Sequence, residues 1–177
     1  MVSRSLRQQC AKLIKDLHLP VPFDLEQFCH DLGIRRGRPL TLMEVDLPTA
    51  LPCGMVAALE DRDIIFITAG LTGPHRDVVG LHEIGHLIAG HLADPLADPD
   101  TGRFVFKHLD PRLVRSINGR SNYSTPEEQQ AELIATMLFR RIARFTAESQ
   151  WSIAGGEGGV VDRISRSLGD GSTQGAP

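Results

Sequence analysis

The run Gly80-Leu81-His82-Glu83-Ile84-Gly85-His86 restricts the fold of this chain more than any other stretch. On a helix, histidines four residues apart lie one above the other, with Cβ atoms about 5–6 Å apart, so both imidazoles can reach one metal ion. Glu83 falls to one side of the pair, placed to take a proton from water rather than to bind the ion. Catalytic zinc usually takes a further protein ligand, so a second element of the fold must meet this helix face to face.

Local context supports a helix here. Thr72 offers an N-cap and Pro74 an early helical proline, Val78, Val79, Leu81, Ile84, Leu87 and Ile88 recur at helical spacing, and Gly90 ends the run. A shuffled chain of this composition would contain His-Glu-x-x-His in roughly one case in seventy, so the match alone already carries weight. The competing reading, histidines satisfied separately in core or surface, is disfavoured. Two imidazoles and a carboxylate on a mostly apolar helix are costly to bury without a shared partner. The metzincin extension is out of register, because Ala89 and Leu92 stand where it requires glycine and histidine. His91 then reads as a polar residue just past the helix end, and His75 as a first-turn surface residue at the margin of a cleft.

The third ligand is sought in Ser124-Thr125-Pro126-Glu127-Glu128-Gln129-Gln130-Ala131-Glu132, which opens a helix reaching to about Phe145. Ala131, Ile134, Ala135, Leu138 and Ile142 define its apolar stripe; Glu128 and Glu132 fall on or beside it and Glu127 points further out. Glu128 is the leading candidate. Glu132, one turn on, is expected to accept from the N–H of a liganding histidine and so orient the ring. Two alternatives stand: Glu128 as the closing residue of a capping box begun by Thr125, and Glu127 as the ligand.

In these features the chain resembles the ImmA/IrrE metallopeptidases, small proteins often found beside helix-turn-helix repressors. The likeness lies in Leu32-Gly33-Ile34, Gly54 in the sheet region, His82-Glu83-Ile84-Gly85-His86 and Glu128-Gln129-Gln130-Ala131-Glu132, and covers about residues 5 to 145. It implies zinc bound by His82, His86 and Glu128, with Glu83 as catalytic acid/base. Glu132 stands where the family usually has Asn or Asp, and Met137-Leu138-Phe139-Arg140 replaces its usual Leu-Leu-Met-Pro, which implies a helix that continues where relatives turn.

The expected fold is α+β and zincin-like: N-terminal helices, a small, mostly antiparallel sheet of three to four strands, and the His-Glu-x-x-His helix packed against a second ligand-bearing helix. An amphipathic helix is expected over 3–18, with Leu6, Cys10, Leu13, Ile14 and Leu17 on one face, and another from Asp24 to Leu32. Strands are expected at Ile34–Arg36 and Leu40–Val45, with a hairpin of Cys53–Leu59 and Asp63–Thr68 around Glu60-Asp61-Arg62. Residues 92–123 read as a long loop with a short helix from Pro111 to Ile117. The catalytic domain is expected over 1–150. The Gly/Ser-rich tail, 151–177, is expected to be largely disordered from Gly155 on, apart from a short helix at Val160–Leu168.

A chain of 177 residues suits one domain with a sizeable core, and a net charge of −3 argues against a general grip on nucleic acid. Neither a membrane-length apolar run nor a signal-peptide core is visible, so a cytoplasmic location is expected. Cys10, Cys29 and Cys53 fit neither a disulfide framework nor a Cys-x-x-Cys site and read as reduced thiols.

The expected activity is zinc-dependent hydrolysis of a peptide bond. Glu83 would accept the proton of the attacking water and return it to the leaving amine, with Tyr123 as a candidate donor to the developing oxyanion. Ile64, Ile65, Phe66, Ile67 and Thr68 are expected to offer backbone groups to an extended peptide. The resemblance implies a helix-turn-helix repressor or antitoxin as protein substrate. The alternative is a non-catalytic zinc-binding regulator or toxin component that acts by binding its repressor. Direct DNA binding is disfavoured, since no helix-turn-helix segment is evident and the charge is acidic.

Overall fold

The computed structural model describes residues 3–49, 51–91, 114–118 and 124–156. Contacts divide the chain into two compact units, with the boundary between Ile142 and Ala143. The first holds helices α1 (Arg4–Ile14), α2 (Leu25–Arg36) and α3 (Gly73–Ala89), and strands β1 (Leu40–Val45), β2 (Gly54–Leu59), β3 (Asp63–Thr68) and β4 (Val114–Asn118). It also holds the first part of α4 (Thr125–Gly156), whose residues from Ala143 on belong to the second unit. The architecture is α+β. Tyr123, residues 111–113 of the expected short helix and the tail from residue 157 on lie outside the described residues.

The N-terminal helices begin where capping chemistry predicts. The Ser3 hydroxyl accepts from the Leu6 N–H at 3.1 Å and the Asp24 carboxylate from the Gln27 N–H at 2.7 Å. Helix α1 ends at Ile14, short of the expected His18, because its last carbonyls find other donors. The Arg141 guanidinium donates to the Ile14 and Leu17 carbonyls at 2.7 and 3.0 Å, and Leu17 and Leu19 then turn into the core.

Helix α2 overturns one expectation. Ile34–Arg36 is not a strand but the last turn of α2, which stops at Gly37 in the left-handed region (φ 64°). The Gly37 and Arg38 N–H groups donate to the Ile34 and Gly33 carbonyls, the ending that a glycine just past a helix favours. Gly33 lets the chain fold back on itself: a Cβ there would lie 2.8 Å from the Leu40 nitrogen at the start of β1.

The sheet runs in the order β1-β3-β2-β4. Strands β2 and β3 form the expected antiparallel hairpin, β4 pairs antiparallel with β2, and β1 pairs in parallel with β3, in register from Leu40 opposite Asp63 to Val45 opposite Thr68. The helix expected to reach Ile117 is overturned, for residues 114–118 form β4. Pairing with the outer edge of β2 outweighs a weak local preference.

The hairpin is apolar on both faces because both are covered. Val56, Ile65 and Ile67 join α1, α2, α3 and α4 in the main core, while Met55, Ala57, Ile64 and Phe66 pack with Val45, Leu47 and Leu51 on the other side. Asp63, 2 % exposed, pairs with Arg36 at 2.7 Å and Arg38 at 2.8 Å. Arg38 also donates to the carbonyls of Leu59, Glu60 and Arg62, which ties the end of α2 to the β2–β3 turn.

Candidate metal centre

Helix α3 runs within the expected signals, from the N-cap Thr72 with Pro74 in its first turn to Gly90 in the left-handed region (φ 75°). Its inner face buries Leu81, Ile84, His86 and Leu87, and Glu83 is 6 % exposed. His82 is partly open to solvent.

Two glycines bring other elements close. A Cβ on Gly85 would lie 2.7 Å from the Ala131 carbonyl oxygen, so α3 and α4 touch backbone to backbone just where the histidines stand. A Cβ on Gly54, at the start of β2, would lie 2.7 Å from Glu83 Oε1 and 2.9 Å from its Cγ. Glycine there leaves room for the Glu83 side chain against the strand.

His82, His86 and Glu128 are thereby brought together, with ligand atoms all within 4.8 Å of one another. His82 Nε2 is 3.1 Å from His86 Nε2, Glu128 Oε2 is 3.4 Å from His82 Nε2, and Glu128 Oε1 is 3.7 Å from His86 Nε2. Ligands about 2.0–2.1 Å from a tetrahedral zinc ion are separated by about 3.3 Å, so the donor set has the span such an ion requires. Among the described residues Glu128 Oε1 is a buried acceptor with no hydrogen-bond partner, a costly arrangement that a cation at this point would relieve. Burial, with His82 and His91 adjacent, lowers the pKa of His86 to about 3, so its ring is neutral with a bare nitrogen to donate. The residues fit a metal ion.

The start of α4 decides between the adjacent glutamates. Ser124 donates to Glu127 Oε2 through its backbone N–H (2.8 Å) and its hydroxyl (2.7 Å). Those two bonds, the backbone one first, hold the Glu127 carboxyl below the usual range. The cap thus begins at Ser124 and closes with Glu127, not at Thr125 with Glu128. Glu127 is thus engaged by Ser124, while Glu128 stands beside His82 and His86.

Other expectations are corrected. His91 does lie just past the helix end, but it is buried and engaged: it is 7 % exposed, with Nδ1 3.0 Å from His86 Nδ1 and Nε2 3.2 Å from Gln130 Oε1. The ring nitrogen of His86 turned away from Glu128 is met by His91, while Glu132 is exposed and lines the cavity over the site. The substrate role of Ile64–Thr68 is overturned. As β3 is hydrogen-bonded to β1 on one edge and β2 on the other, it has no free edge for a peptide. His91 had a signal in the sequence: glycine ending a helix sends the next residue back over the last turn, here onto His86.

The cavity, about 410 Å³, is bordered by Pro52, Cys53, Gly54, His75, Val78 and Val79 around His82, Glu83, His86 and Glu128. His75 lies at its rim, as expected. All three cysteines are free; Cys10 and Cys29 are buried and Cys53 is exposed. Among the described residues no helix is long and apolar enough to cross a membrane. No protein-family model matches the chain, and no curated protein is significantly similar to it.

Proposed function

We propose that the chain is a zinc-dependent peptidase whose ion is held by His82, His86 and Glu128. The observation that carries this reading is the convergence of those side chains from two helices, with the Glu83 carboxylate beside them in one cavity. Zinc bound there supplies Lewis acidity, polarising a carbonyl and acidifying water. Glu83, pressed against the backbone at Gly54, accepts the proton of the attacking water on its carboxylate and passes it to the leaving amine. The apolar side chains of Val78 and Val79 border the cavity and take an apolar part of the substrate.

Among the described residues β1 and β4 are the two edge strands, and of these β4 is the neighbour of β2, at whose start Gly54 borders the cavity. Asn118 of β4 lies opposite Val56, two residues from Gly54, so an extended peptide added to β4 runs toward the cavity. The resemblance to the ImmA/IrrE family supports a helix-turn-helix repressor or antitoxin as substrate.

The test is co-expression with a helix-turn-helix regulator, taken from beside the gene where one is encoded there, followed by mass spectrometry of its fragments. Glu83→Gln is expected to keep zinc and partner binding and to abolish the fragments. Continued cleavage by that variant refutes the role of Glu83, and an intact regulator in a stable complex with the wild-type chain points to regulation by binding alone.

A further inference from the structure

His91 is joined to His86 twice. Its backbone N–H donates to the His86 carbonyl at 3.0 Å, a bond made possible by Gly90 in the left-handed region, and its ring nitrogen Nδ1 stands 3.0 Å from His86 Nδ1. On the far side of the ring, Nε2 lies 3.2 Å from Oε1 of Gln130, which follows Glu128 by two positions on α4.

Counting protons across these two links leaves one arrangement for them. Two ring nitrogens that face each other need a single hydrogen between them. His86 Nε2 is directed at His82 and Glu128; as a metal ligand it is bare, so the proton of the neutral ring sits on Nδ1. His91 Nδ1 must then accept it. The proton of His91 is therefore on Nε2, where the Gln130 carbonyl oxygen receives it. Donor and acceptor match at both links.

We infer that His91, backed by Gln130, is a positioning residue of the metal centre. It fixes the tautomer and ring plane of His86 and, through Gln130, ties that ligand to the helix carrying Glu128. The inference rests on the metal-binding reading above. It differs from a packing role for a buried ring, which an apolar side chain of similar size would fill equally well.

The variants that separate the two are His91→Leu, His91→Asn, Gln130→Leu and Gln130→Glu in the full chain. Each is measured by competition for zinc against a chromophoric chelator and by the visible absorption of the cobalt(II) form. His91→Leu is expected to weaken zinc binding about 10–100-fold and to shift the cobalt bands. His91→Asn, whose side-chain oxygen can accept from His86 Nδ1–H, is expected to recover much of the loss. Gln130→Leu is expected to weaken binding in the same direction, and Gln130→Glu to retain it. Wild-type affinity and an unchanged cobalt spectrum in both leucine variants overturn the inference. Should His91→Leu fail to fold, the same result in Gln130→Leu, at a half-buried position, overturns it alone. A wild-type chain that binds neither zinc nor cobalt overturns instead the metal-binding reading on which the inference depends.

Discussion

The contact between α3 and α4 at Gly85 makes a demand that can be worked through. In Gly85→Ala the new methyl group would lie 2.7 Å from the Ala131 carbonyl oxygen and 3.1 Å from its Cα, against 3.4 Å for ordinary contact. The obstacle is backbone, so α4 must move out by about 0.7 Å rather than a side chain turning aside. Glu128 sits one turn before Ala131 on the same helix and moves with it, whereas metal–ligand distances tolerate only about 0.2 Å. Zinc affinity is expected to fall on the order of 100-fold. Fold stability changes far less. Overpacking costs about 1–3 kcal/mol and replacing a mid-helix glycine by alanine returns about 1 kcal/mol, so the metal-free variant loses about 0–2 kcal/mol and stays folded. Chelator competition gives the affinity, and thermal denaturation with and without zinc gives the stability. Gly80→Ala is the control, because the atoms nearest its methyl group belong to the side chain of Leu25 rather than to backbone, and it is expected to alter stability without altering zinc affinity. Zinc binding by Gly85→Ala within about threefold of wild type would refute the claim that this helix approach sets the site.

Other consequences are open to measurement. Gly54→Ala places a methyl group 2.7 Å from Glu83 Oε1, and is expected to lower peptidase activity at least about tenfold while zinc content is unchanged, since general acid–base catalysis typically contributes about 100-fold or more. Equal activity in the variant would show that Glu83 does not need its present seat. Asp63→Ala leaves Arg36 and Arg38 without their shared carboxylate; as both arginines are partly exposed, the expected loss is about 2–3 kcal/mol in urea denaturation, below the full cost of breaking a buried pair. Cys29 is pushed up to about 12, mainly by burial and further by Glu26, from an ordinary value of 9.0. The folded chain therefore holds a proton there that the unfolded chain releases, so stability present below pH 9 falls as pH rises toward 12. Cys29→Ala is expected to flatten that decline, and an unchanged slope would rule the thiol out as its source.

Much of the centre was legible because its signals are local. Thr72, Pro74 and Gly90 mark the ends of α3, the apolar spacing between them marks its buried face, and the stripe from Ala131 to Ile142 orients Glu128 toward it. The β2–β3 hairpin was legible for the same reason, its turn being Glu60-Asp61-Arg62. The parallel pairing of β1 with β3 was not, for it joins strands separated by the whole of β2, and no short-range pattern encodes which edge a strand will take. That missing fact is what made Ile64–Thr68 look available to a peptide. Strand β4 was hidden likewise, since its partner lies more than fifty residues back in the chain.

The details missed nearer the site share another cause, which is the accounting of hydrogen bonds at helix ends. Helix α2 runs on through Ile34–Arg36 because Gly37 and Arg38 satisfy its last carbonyls. At the start of α4 the need to occupy Ser124 engages Glu127, while the next glutamate stands beside the histidines. At the end of α3 the left-handed turn at Gly90 sends the His91 N–H back to the His86 carbonyl, and the ring lies against that of His86. Two terminal turns, each closing for ordinary backbone reasons, thus deliver Glu128 and His91 to opposite sides of His86. The candidate metal site and the ring contact behind it arise from the same hydrogen-bond accounting at helix ends.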